Sequence, residues 1–591
     1  MKTRNYELSK RFGKLLKKNK MLAYKLKYKR RWTICLILLW LFQTANAQHH
    51  HQGEEYAPAF DVSLLSAPPL MRGIGTAQIK ITTKSELSQK YFNQGLNLLH
   101  AFWDVESYRA FREAARNDEN CAMCYWGIYN ALGQNSQEMS AERTAALKKA
   151  VELMPTVSDH EQFYIRAISL QSEPGKGRAA WIGEMEALID KYPEDVEAQL
   201  LLANTLSTPA GSYLPDGRPR DGKIYGQMIL RNLLITHPNH AAVHHYWIHA
   251  MENSSRPEEA LPSCEKLVQL APNSGHMLHM PGHIYYRLGM YEKAREYFLK
   301  SLEFDLKYMK EQKIHPINNW NYTHNLDYLV ANSAEEGRYQ EAVHYAKMLA
   351  EVPTDDKRLK ATGLGYLLYG GYTALTRVQM RFGKWDEAIK DLPISNQAPQ
   401  TLSEKYQIGI LSYLKGMSAV EKNNADEAEK NAQELEKTIA DLSTQKIQQG
   451  SDWYFNYANR ILAVHILDLR GSILSIQGKT VEAVKLLNEA IEKEKNLGYW
   501  EPPHYTRPVL ESLGQAYIRA GKFEEARQSY EQILKVRPNS GFVYLSIARI
   551  SAKSDDKAKA NEFYKQFLKV WANADKDLPQ IKEAEKELKQ F

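Results

Sequence analysis

The chain has 591 residues, of which 77 are Lys or Arg and 70 are Asp or Glu, so its formal net charge is +7. This excess comes from the N-terminus, because residues 1–32 contain thirteen basic residues and one acidic residue. Without that segment, 64 basic and 69 acidic residues remain, a net charge of −5. The rest of the chain therefore lacks the basic surplus on which nucleic-acid binding depends, and we expect no nucleic-acid partner.

The first 47 residues have the organisation of an export signal peptide. The basic stretch is followed by an apolar run at residues 33–42 and by small residues at Ala45 and Ala47, so we expect cleavage before Gln48. The apolar run is shorter than the roughly 20 residues that a membrane-spanning helix needs. An uncleaved anchor is the alternative to cleavage.

The boundaries of the exported protein follow from this signal. The basic stretch is unusually long, so translation could begin at Met1 or at Met21. Residues 48–84 contain Pro58, Pro68 and Pro69 and are predicted to form a flexible tail or a strap across the first helices.

We expect no stable membrane anchor after cleavage. The periplasm is the favoured location, with the cell surface or secretion as the alternative.

Three cysteines follow the signal. Cys121 and Cys124 open a predicted helix and could form a disulfide in an oxidising compartment. The alternative is that both are small apolar helix residues. A structural zinc site would need a second pair of ligands, and the sequence has no second CxxC motif.

The remainder of the chain consists of paired amphipathic helices with a period of 34 residues. Small residues let the two helices of a pair approach closely, and aromatic residues fill the space between pairs. The clearest copy has the markers Leu513, Gly514, Tyr517, Gly521, Ala526, Tyr530 and Pro538, and another has Gly282, Tyr285, Gly289, Ala294 and Phe298. The spacing predicts roughly twelve helix pairs between residues 85 and 572 and a polar closing helix at 576–589.

This pattern resembles the tetratricopeptide repeat (TPR) over about 500 residues. The resemblance implies an all-α fold, a TPR-type helix-pair solenoid wound as a right-handed superhelix, with a C-terminal capping helix. It also implies a concave groove lined by the first helix of each pair. The stretch from Pro353 to Asp356 interrupts the pattern. We therefore divide the array into residues 85–355 and residues 356–591, of which the second includes the cap.

Six histidines and two carboxylates fall at positions that the resemblance assigns to the groove. They lie on the first helices of three successive repeats, beginning at residues 241, 275 and 323: His245, His249, Glu252, His276, His279, His283, His324 and Asp327. Steps of three and four residues keep such positions on one helical face. Because packed helix axes lie about 8–10 Å apart, imidazoles from neighbouring helices can converge on one atom.

A metal site is the sharpest hypothesis for these residues. The predicted ligands are His245, His249, His279 and His283, since two histidines at i, i+4 can ligate one ion from a single helix face. Nitrogen ligands without thiolate suit Zn, Cu, Fe or Ni rather than Ca or Mg. Glu252 could ligate, orient an imidazole or act as general base toward a metal-bound water.

The other predicted residues of the binding groove are His276, His324, Asp327 and Arg377. The first two are candidate second ligands or substrate contacts. Two alternatives to a metal site stay open. Histidines can line a polar groove that binds a peptide, and buried histidines can serve a structural role through hydrogen bonds to the backbone. No HExxH or EF-hand motif supports a named metalloenzyme class.

Several strings also resemble a group of exported bacterial repeat proteins. They are Phe92-x-x-Gly95-Leu96, Cys121-Ala122-Met123-x-x-Trp126-Gly127, His249-Ala250-Met251-Glu252, His279-Met280-Pro281-x-His283-Ile284-Tyr285 and His324-Asn325-Leu326. The Ala45-Asn46-Ala47-Gln48 ending of the signal is similar to those of Bacteroidota. This resemblance implies a role beside polysaccharide-degrading enzymes and their transporters.

Three hypotheses of function result. In the first, a binding or scaffold protein of the cell envelope holds a peptide, a partner protein or glycan-processing machinery in its groove. In the second, a metal-dependent hydrolase or oxidoreductase uses the histidines with Glu252 as a catalytic residue. In the third, the protein is a periplasmic metal carrier. The fold alone does not decide between them.

Overall fold

The computed structural model of the chain describes residues 65–590, except for 134–138, 209–212, 215–217, 221, 353–370, 395–401, 445–451 and 504. The predicted export signal and the predicted boundary between residues 355 and 356 lie outside the described residues. So does the segment 48–64. The side chains of residues 402 and 452–457 are also not described.

The described residues form twenty-five α-helices, connected by short turns, 3-10 segments and loops. In chain order they are α1 (Glu86–His100), α2 (Asp104–Asn117), α3 (Ala122–Ala131), α4 (Ser140–Leu153), α5 (Asp159–Ser172), α6 (Gly177–Lys191), α7 (Val196–Ser207), α8 (Lys223–Thr236), α9 (Ala241–Glu252), α10 (Leu261–Leu270), α11 (Gly275–Arg287), α12 (Tyr291–Gln312), α13 (Trp320–Glu335), α14 (Tyr339–Ala350), α15 (Ala374–Arg381), α16 (Trp385–Asp391), α17 (Leu402–Glu421), α18 (Ala425–Ser443), α19 (Asp452–Ile476), α20 (Thr480–Lys495), α21 (Val509–Arg519), α22 (Phe523–Leu534), α23 (Gly541–Lys553), α24 (Lys557–Val570) and α25 (Pro579–Leu588).

Each odd-numbered helix up to α23 packs against the even-numbered helix that follows it. Among the described residues these helices form twelve pairs, and α25 closes the array. The prediction of an all-α solenoid of about twelve helix pairs with a closing helix is therefore confirmed. Helix α13 begins at Trp320, three residues before the predicted repeat start at 323. None of the helices in the described part of the chain is long and apolar enough to cross a lipid bilayer.

Glycine in the first helix of a pair allows close contact with an aromatic residue in the second. A Cβ atom on Gly282 of α11 would lie 2.2 Å from the ring of Phe298 in α12. The same relation holds between Gly514 of α21 and Tyr530 of α22, where the distance would be 2.5 Å. The two helices of a pair approach closely because this position has no side chain.

We expect Gly282→Ala to lower the free energy of unfolding by about 1–3 kcal/mol, because the added methyl group overpacks the contact with Phe298. Gly183→Ala is the matched control, since Gly183 lies inside α6 and a Cβ there would meet no atom within 4 Å. The control should be neutral or stabilising by up to about 1 kcal/mol. Urea unfolding of both variants measures the difference, and equal effects would show that the glycine is not needed for the helix contact.

Residues 65–84 are extended and lie across the first helices. Asn97 of α1 binds the backbone of Ala77 twice, accepting from its N–H at 2.9 Å and donating to its carbonyl oxygen at 2.8 Å. Glu197 of α7 accepts from the backbone N–H of Gln78 at 3.0 Å. The segment thus connects helices of different pairs as a strap does.

The last helix pairs pack against pairs in the middle of the chain. The indole N–H of Trp571 donates to the carbonyl oxygen of Glu335 at the end of α13, at 2.9 Å. The hydroxyl of Tyr291 in α12 donates to the carbonyl oxygen of Pro538 at 3.0 Å. The loop between α20 and α21 also lies next to α9 and α11, since Glu501 has a carboxyl oxygen 3.7 Å from His283 and forms a group with His249 and Glu252.

Candidate metal centre

The six predicted histidines form one continuous buried cluster on α9, α11 and α13, the first helices of three successive pairs. The ring centres of His245 and His249 lie 4.8 Å apart, and those of His249 and His283 lie 6.2 Å apart. The surroundings of the cluster differ from those that the sequence predicts. The repeat pattern predicts histidines on an open groove, whereas the structure encloses them.

The structure groups the six histidines into two sets of three. Triad A consists of His245, His249 and His276, and triad B consists of His279, His283 and His324. Within each triad the candidate ligand nitrogens lie within 4.8 Å of one another. The four histidines predicted as one ligand set are therefore divided between two triads. The two histidines predicted as second ligands or substrate contacts complete them.

Two histidines of triad A donate from Nδ1 to atoms that can only accept. His245 Nδ1 lies 2.6 Å from the carbonyl oxygen of His100, and His249 Nδ1 lies 2.9 Å from Glu252 Oε1. A carbonyl or a carboxylate has no hydrogen to give, so each Nδ1 carries the proton. When such a ring is neutral, its Nε2 atom presents a lone pair.

His276 has the same orientation through an amide. Its Nδ1 lies 3.0 Å from Asn321 Oδ1, and the amide nitrogen of Asn321 donates to Asp305 Oδ2 at 2.6 Å. Because the carboxylate holds the NH₂ group, the amide oxygen of Asn321 faces the imidazole. The Nε2 atom of His276 is the free acceptor.

The three Nε2 atoms of triad A are buried and have no hydrogen-bond partner among the described residues. A buried polar atom without a partner costs about 1–3 kcal/mol, and most such atoms in folded proteins are satisfied. Neighbouring imidazoles with one free nitrogen each, oriented through the other nitrogen, are the arrangement that metal-binding histidines adopt.

Triad B is more tightly assembled. The Nε2 atoms of His279 and His283 lie 2.6 Å apart, and His324 Nε2 lies 3.4 Å from His283 Nε2. His283 Nδ1 donates to Glu252 Oε2 at 2.6 Å. Glu252 therefore accepts from one histidine of each triad, with one oxygen for each.

The contacts of Glu252 agree with one of its three predicted roles. Both carboxylate oxygens accept imidazole N–H groups, as a carboxylate that orients histidines does. Burial by itself raises the pKa of Glu252, but the two imidazoles outweigh burial and hold that pKa well below its usual range. Glu252 is therefore ionised at neutral pH.

Burial lowers the pKa values of the histidines. His245, His276, His279 and His324 have pKa values well below the ordinary value, first because they are desolvated and second because neighbouring imidazoles disfavour a positive charge. These rings are neutral at pH 7. Neutral imidazole is the form that ligates a metal.

Glu501 is a component of the site that sequence analysis missed. It lies in the loop between α20 and α21, and its carboxylate is 3.7 Å from His283 Nδ1. With His249 and Glu252 it forms a third group of ligand atoms within 4.8 Å. Burial, and then the charge of Glu252, raise the pKa of Glu501 well above its usual range. The repeat pattern carries no signal for this residue, because it lies outside the helix pairs.

Aromatic side chains enclose both triads. The ring centre of Phe102 lies 4.7 Å, 5.3 Å and 5.7 Å from the ring centres of the triad A histidines. Tyr328 lies 4.4–5.4 Å from those of triad B. Trp320 contacts His276 and His324, one from each triad, at 4.9 Å and 5.5 Å. Both triads therefore lie in an environment of aromatic side chains.

The remaining predicted groove residues pair with each other. Arg377 Nη2 lies 2.6 Å from Asp327 Oδ1, and both side chains are buried. At the start of α3, Cys121 and Cys124 are joined by a disulfide.

A second buried histidine cluster lies beside triad A. Glu197 accepts from His100 Nε2 at 2.8 Å and from His240 Nε2 at 3.1 Å. Burial by itself raises the pKa of Glu197, and the two imidazoles outweigh burial and lower it to about 2 from about 4.5. The carbonyl oxygen of His100 is the acceptor for His245, so this cluster lies directly beside the candidate site.

The lowered pKa of Glu197 predicts a pH-dependent contribution to stability. Because the pKa is lower in the folded state, the contribution is present above about pH 4.5 and is lost as the pH falls toward 2. In metal-free protein, Glu197→Gln should cost up to about 3 kcal/mol at pH 6 and much less at pH 3. Urea unfolding at both pH values measures this. The exposed Glu585→Gln control should change stability by less than about 0.5 kcal/mol at either pH, and a pH-independent effect of Glu197→Gln would contradict the prediction.

Comparison with known proteins identifies the repeat. Residues 276–308 and residues 508–540 each match the family model described as tetratricopeptide repeat. Both segments are tetratricopeptide repeats. The first contains all three histidines of α11, so both triads are partly built on a tetratricopeptide repeat. The second includes the copy with the clearest markers in the sequence.

Solved structures of helical-repeat proteins are similar to this chain at low identity. The human IFIT1 dimer with PPP-AAAA is 13% identical, over 80% of this chain and 94% of that chain, with a TM-score of 0.32. Yeast Tom70 is 13% identical, over 86% of this chain and 97% of that chain, with a TM-score of 0.29. A search of curated proteins gives no match.

Proposed function

We propose that this tetratricopeptide repeat protein binds a transition-metal ion at triad A. The observation that carries the proposal is a set of three buried, unpartnered Nε2 atoms on rings whose candidate ligand nitrogens lie within 4.8 Å, each ring donating from Nδ1. A metal ion would satisfy all three lone pairs at once, and the acceptors of Nδ1 supply the orientation that ligating histidines need. Zn, Cu, Fe and Ni are the ions that a nitrogen donor set favours.

The burial of the histidines supports metal binding over peptide binding at the same residues. A peptide groove must be open to solvent before the peptide binds, whereas all six histidines are enclosed. The enzyme hypothesis assigns Glu252 as a catalytic residue, and this assignment has no support from the contacts of Glu252. A metal-holding or metal-carrying role agrees better with these contacts.

We also propose that the protein acts in the cell envelope, with the periplasm as its location. The support is the basic, apolar and small-residue order of residues 1–47. A protein or peptide partner and a role beside glycan-degrading machinery belong to this proposal through the resemblance to exported bacterial repeat proteins. The buried histidine positions are not the surface for such a partner.

Elemental analysis tests the metal proposal. The protein is purified without an affinity tag, in a background where His49, His50 and His51 are each replaced by Ser, because that run could bind metal by itself. After incubation with zinc and dialysis, we expect the parent protein to retain bound zinc. The double variant His245→Ala, His276→Ala should lose the zinc at triad A. This variant keeps His249, which is a partner of Glu252.

The matched control is His465→Ala. His465 is a buried histidine of α19 that packs against Tyr413 and Tyr505, outside both triads. It should bind as much zinc as the parent protein. Circular dichroism of each variant separates loss of metal from loss of fold. Zinc binding that is unchanged in the triad A variant, or absent from the parent protein, would overturn the proposal.

A further inference from the structure

We propose that triad B binds a second transition-metal ion and that the two triads form one dinuclear centre. The inference rests on the proposed function, since it takes triad A as the first site. It extends that function by a second site and by the coupling between the two.

The protonation of triad B leaves two lone pairs face to face. His279 Nδ1 donates to Asn325 Oδ1 at 2.7 Å, and the amide nitrogen of Asn325 donates to the carbonyl oxygen of Phe298 at 2.8 Å, which turns the amide oxygen toward the imidazole. His283 Nδ1 donates to Glu252. Both Nε2 atoms therefore carry lone pairs, although they lie only 2.6 Å apart.

A cation between His279 Nε2 and His283 Nε2 would replace the repulsion between their lone pairs by attraction to the cation. His324 Nε2, 3.4 Å from His283 Nε2, supplies a third nitrogen on the same side. Three neutral nitrogens suit a transition-metal ion better than a single shared proton, which joins only two of them. A proton shared between His279 and His283 is the competing explanation, and the test below separates the two.

The two triads are too close to act as independent sites. The ring centres of His276 and His279 lie 5.9 Å apart, and those of His249 and His283 lie 6.2 Å apart, so facing rings of the two triads are in contact. Two-metal sites in proteins hold their ions about 3.5–4 Å apart. Ions ligated by adjacent triads would therefore belong to one centre.

Glu252 connects the two halves of this centre. Its Oε1 orients His249 of triad A and its Oε2 orients His283 of triad B. Two divalent ions in an apolar enclosure need negative charge nearby, because a buried charge without compensation is costly. Glu252 provides a negative carboxylate for this purpose, and Glu501 lies beside it as a further candidate ligand.

The coordination leaves room for a small ligand. Three protein nitrogens per ion leave at least one coordination position on each, which is the arrangement of sites that bind water or a substrate. Phe102, Trp320 and Tyr328 surround the triads, so a ligand at these positions would lie among aromatic rings.

Metal stoichiometry in four proteins tests the inference. The first is the parent protein, in which His49, His50 and His51 are replaced by Ser. The others are the triad A variant, the triad B double variant (His279→Ala with His324→Ala) and the His465→Ala control. The triad B variant keeps His283, so the contact with Glu252 is preserved. We expect two zinc ions per chain in the parent and the control, and one in each triad variant.

Loading with Cu(II) tests the proximity of the two ions. In the parent protein, electron paramagnetic resonance should show a dipole-coupled spectrum with a half-field transition or a loss of signal through pairing. Each triad variant should show the ordinary spectrum of an isolated Cu(II) ion. Two ions with uncoupled spectra would overturn the dinuclear centre.

The outcomes distinguish the inference from the proposed function. One zinc ion in the parent that is lost only in the triad A variant overturns the inference and leaves the proposed function standing. One zinc ion that is lost in either variant means that all six histidines share a single ion, and it also overturns the inference. Absence of zinc from every protein overturns the proposed function itself.

Discussion

Arg381→Met is expected to lower the free energy of unfolding by about 3–5 kcal/mol, because two buried carboxylates lose their closest cationic partner. The guanidinium of Arg381 lies 3.2 Å from Glu335 and 2.5 Å from Glu511, and its Nη2 donates to Ser540 Oγ at 3.3 Å. These partners belong to α13, α21 and the turn before α23. Loss of the arginine therefore disrupts contacts between the middle and the end of the solenoid.

Urea unfolding measures this effect, and Arg549→Met is its control. Arg549 pairs with Glu583 at 2.5 Å, but the pair is largely exposed, so its loss should cost less than about 1 kcal/mol. The triple variant Arg381→Met, Glu335→Gln, Glu511→Gln should be more stable than Arg381→Met alone, since it removes two buried charges that have lost their closest partner. A triple variant that is less stable than the single variant would contradict this explanation.

The helix pairs could be predicted from the sequence because their contacts are local. Gly282 and Phe298 are sixteen residues apart and recur as Gly514 and Tyr530 at the same separation, so the repeat itself records the packing. The histidines were placed on three successive helices for the same reason. Their spacing of three and four residues specifies a helix face without knowledge of the rest of the fold.

The grouping of the histidines depends on contacts that the repeat does not encode. His245 is oriented by a carbonyl oxygen 145 residues away in the sequence, at the end of α1. The division into triads depends on the rotation of each ring, and the rotation depends on such acceptors. A sequence pattern could therefore identify the six residues and not the two sets.

The enclosure of the site has a similar origin. Phe102 comes from the turn between α1 and α2, and Glu501 comes from a loop more than two hundred residues after α11. Both reach the histidines only because distant parts of the solenoid pack together. An array of repeats considered one at a time predicts an open groove, and the long-range contacts turn it into a buried centre.

Glu252→Gln is expected to weaken metal binding at one of the two triads by about 10–100-fold, which is the usual effect of losing an orienting carboxylate. A glutamine has only one carbonyl oxygen, so it can accept from His249 or from His283 but not from both. Its NH₂ group would face the Nδ1 of the other ring, which must then become an acceptor. That ring would carry its proton on Nε2 and lose the lone pair that ligates.

Zinc titration in competition with a chelator measures the affinities of the parent protein, Glu252→Gln and Glu197→Gln. The last variant is a matched control, because Glu197 is also buried and also accepts from two histidines, but neither belongs to a triad. Its affinity should stay within a few-fold of the parent. Glu252→Asp retains two acceptor oxygens and should recover part of the loss. Equal losses in Glu252→Gln and Glu197→Gln would mean that general destabilisation, and not the orientation of the ligands, accounts for the effect.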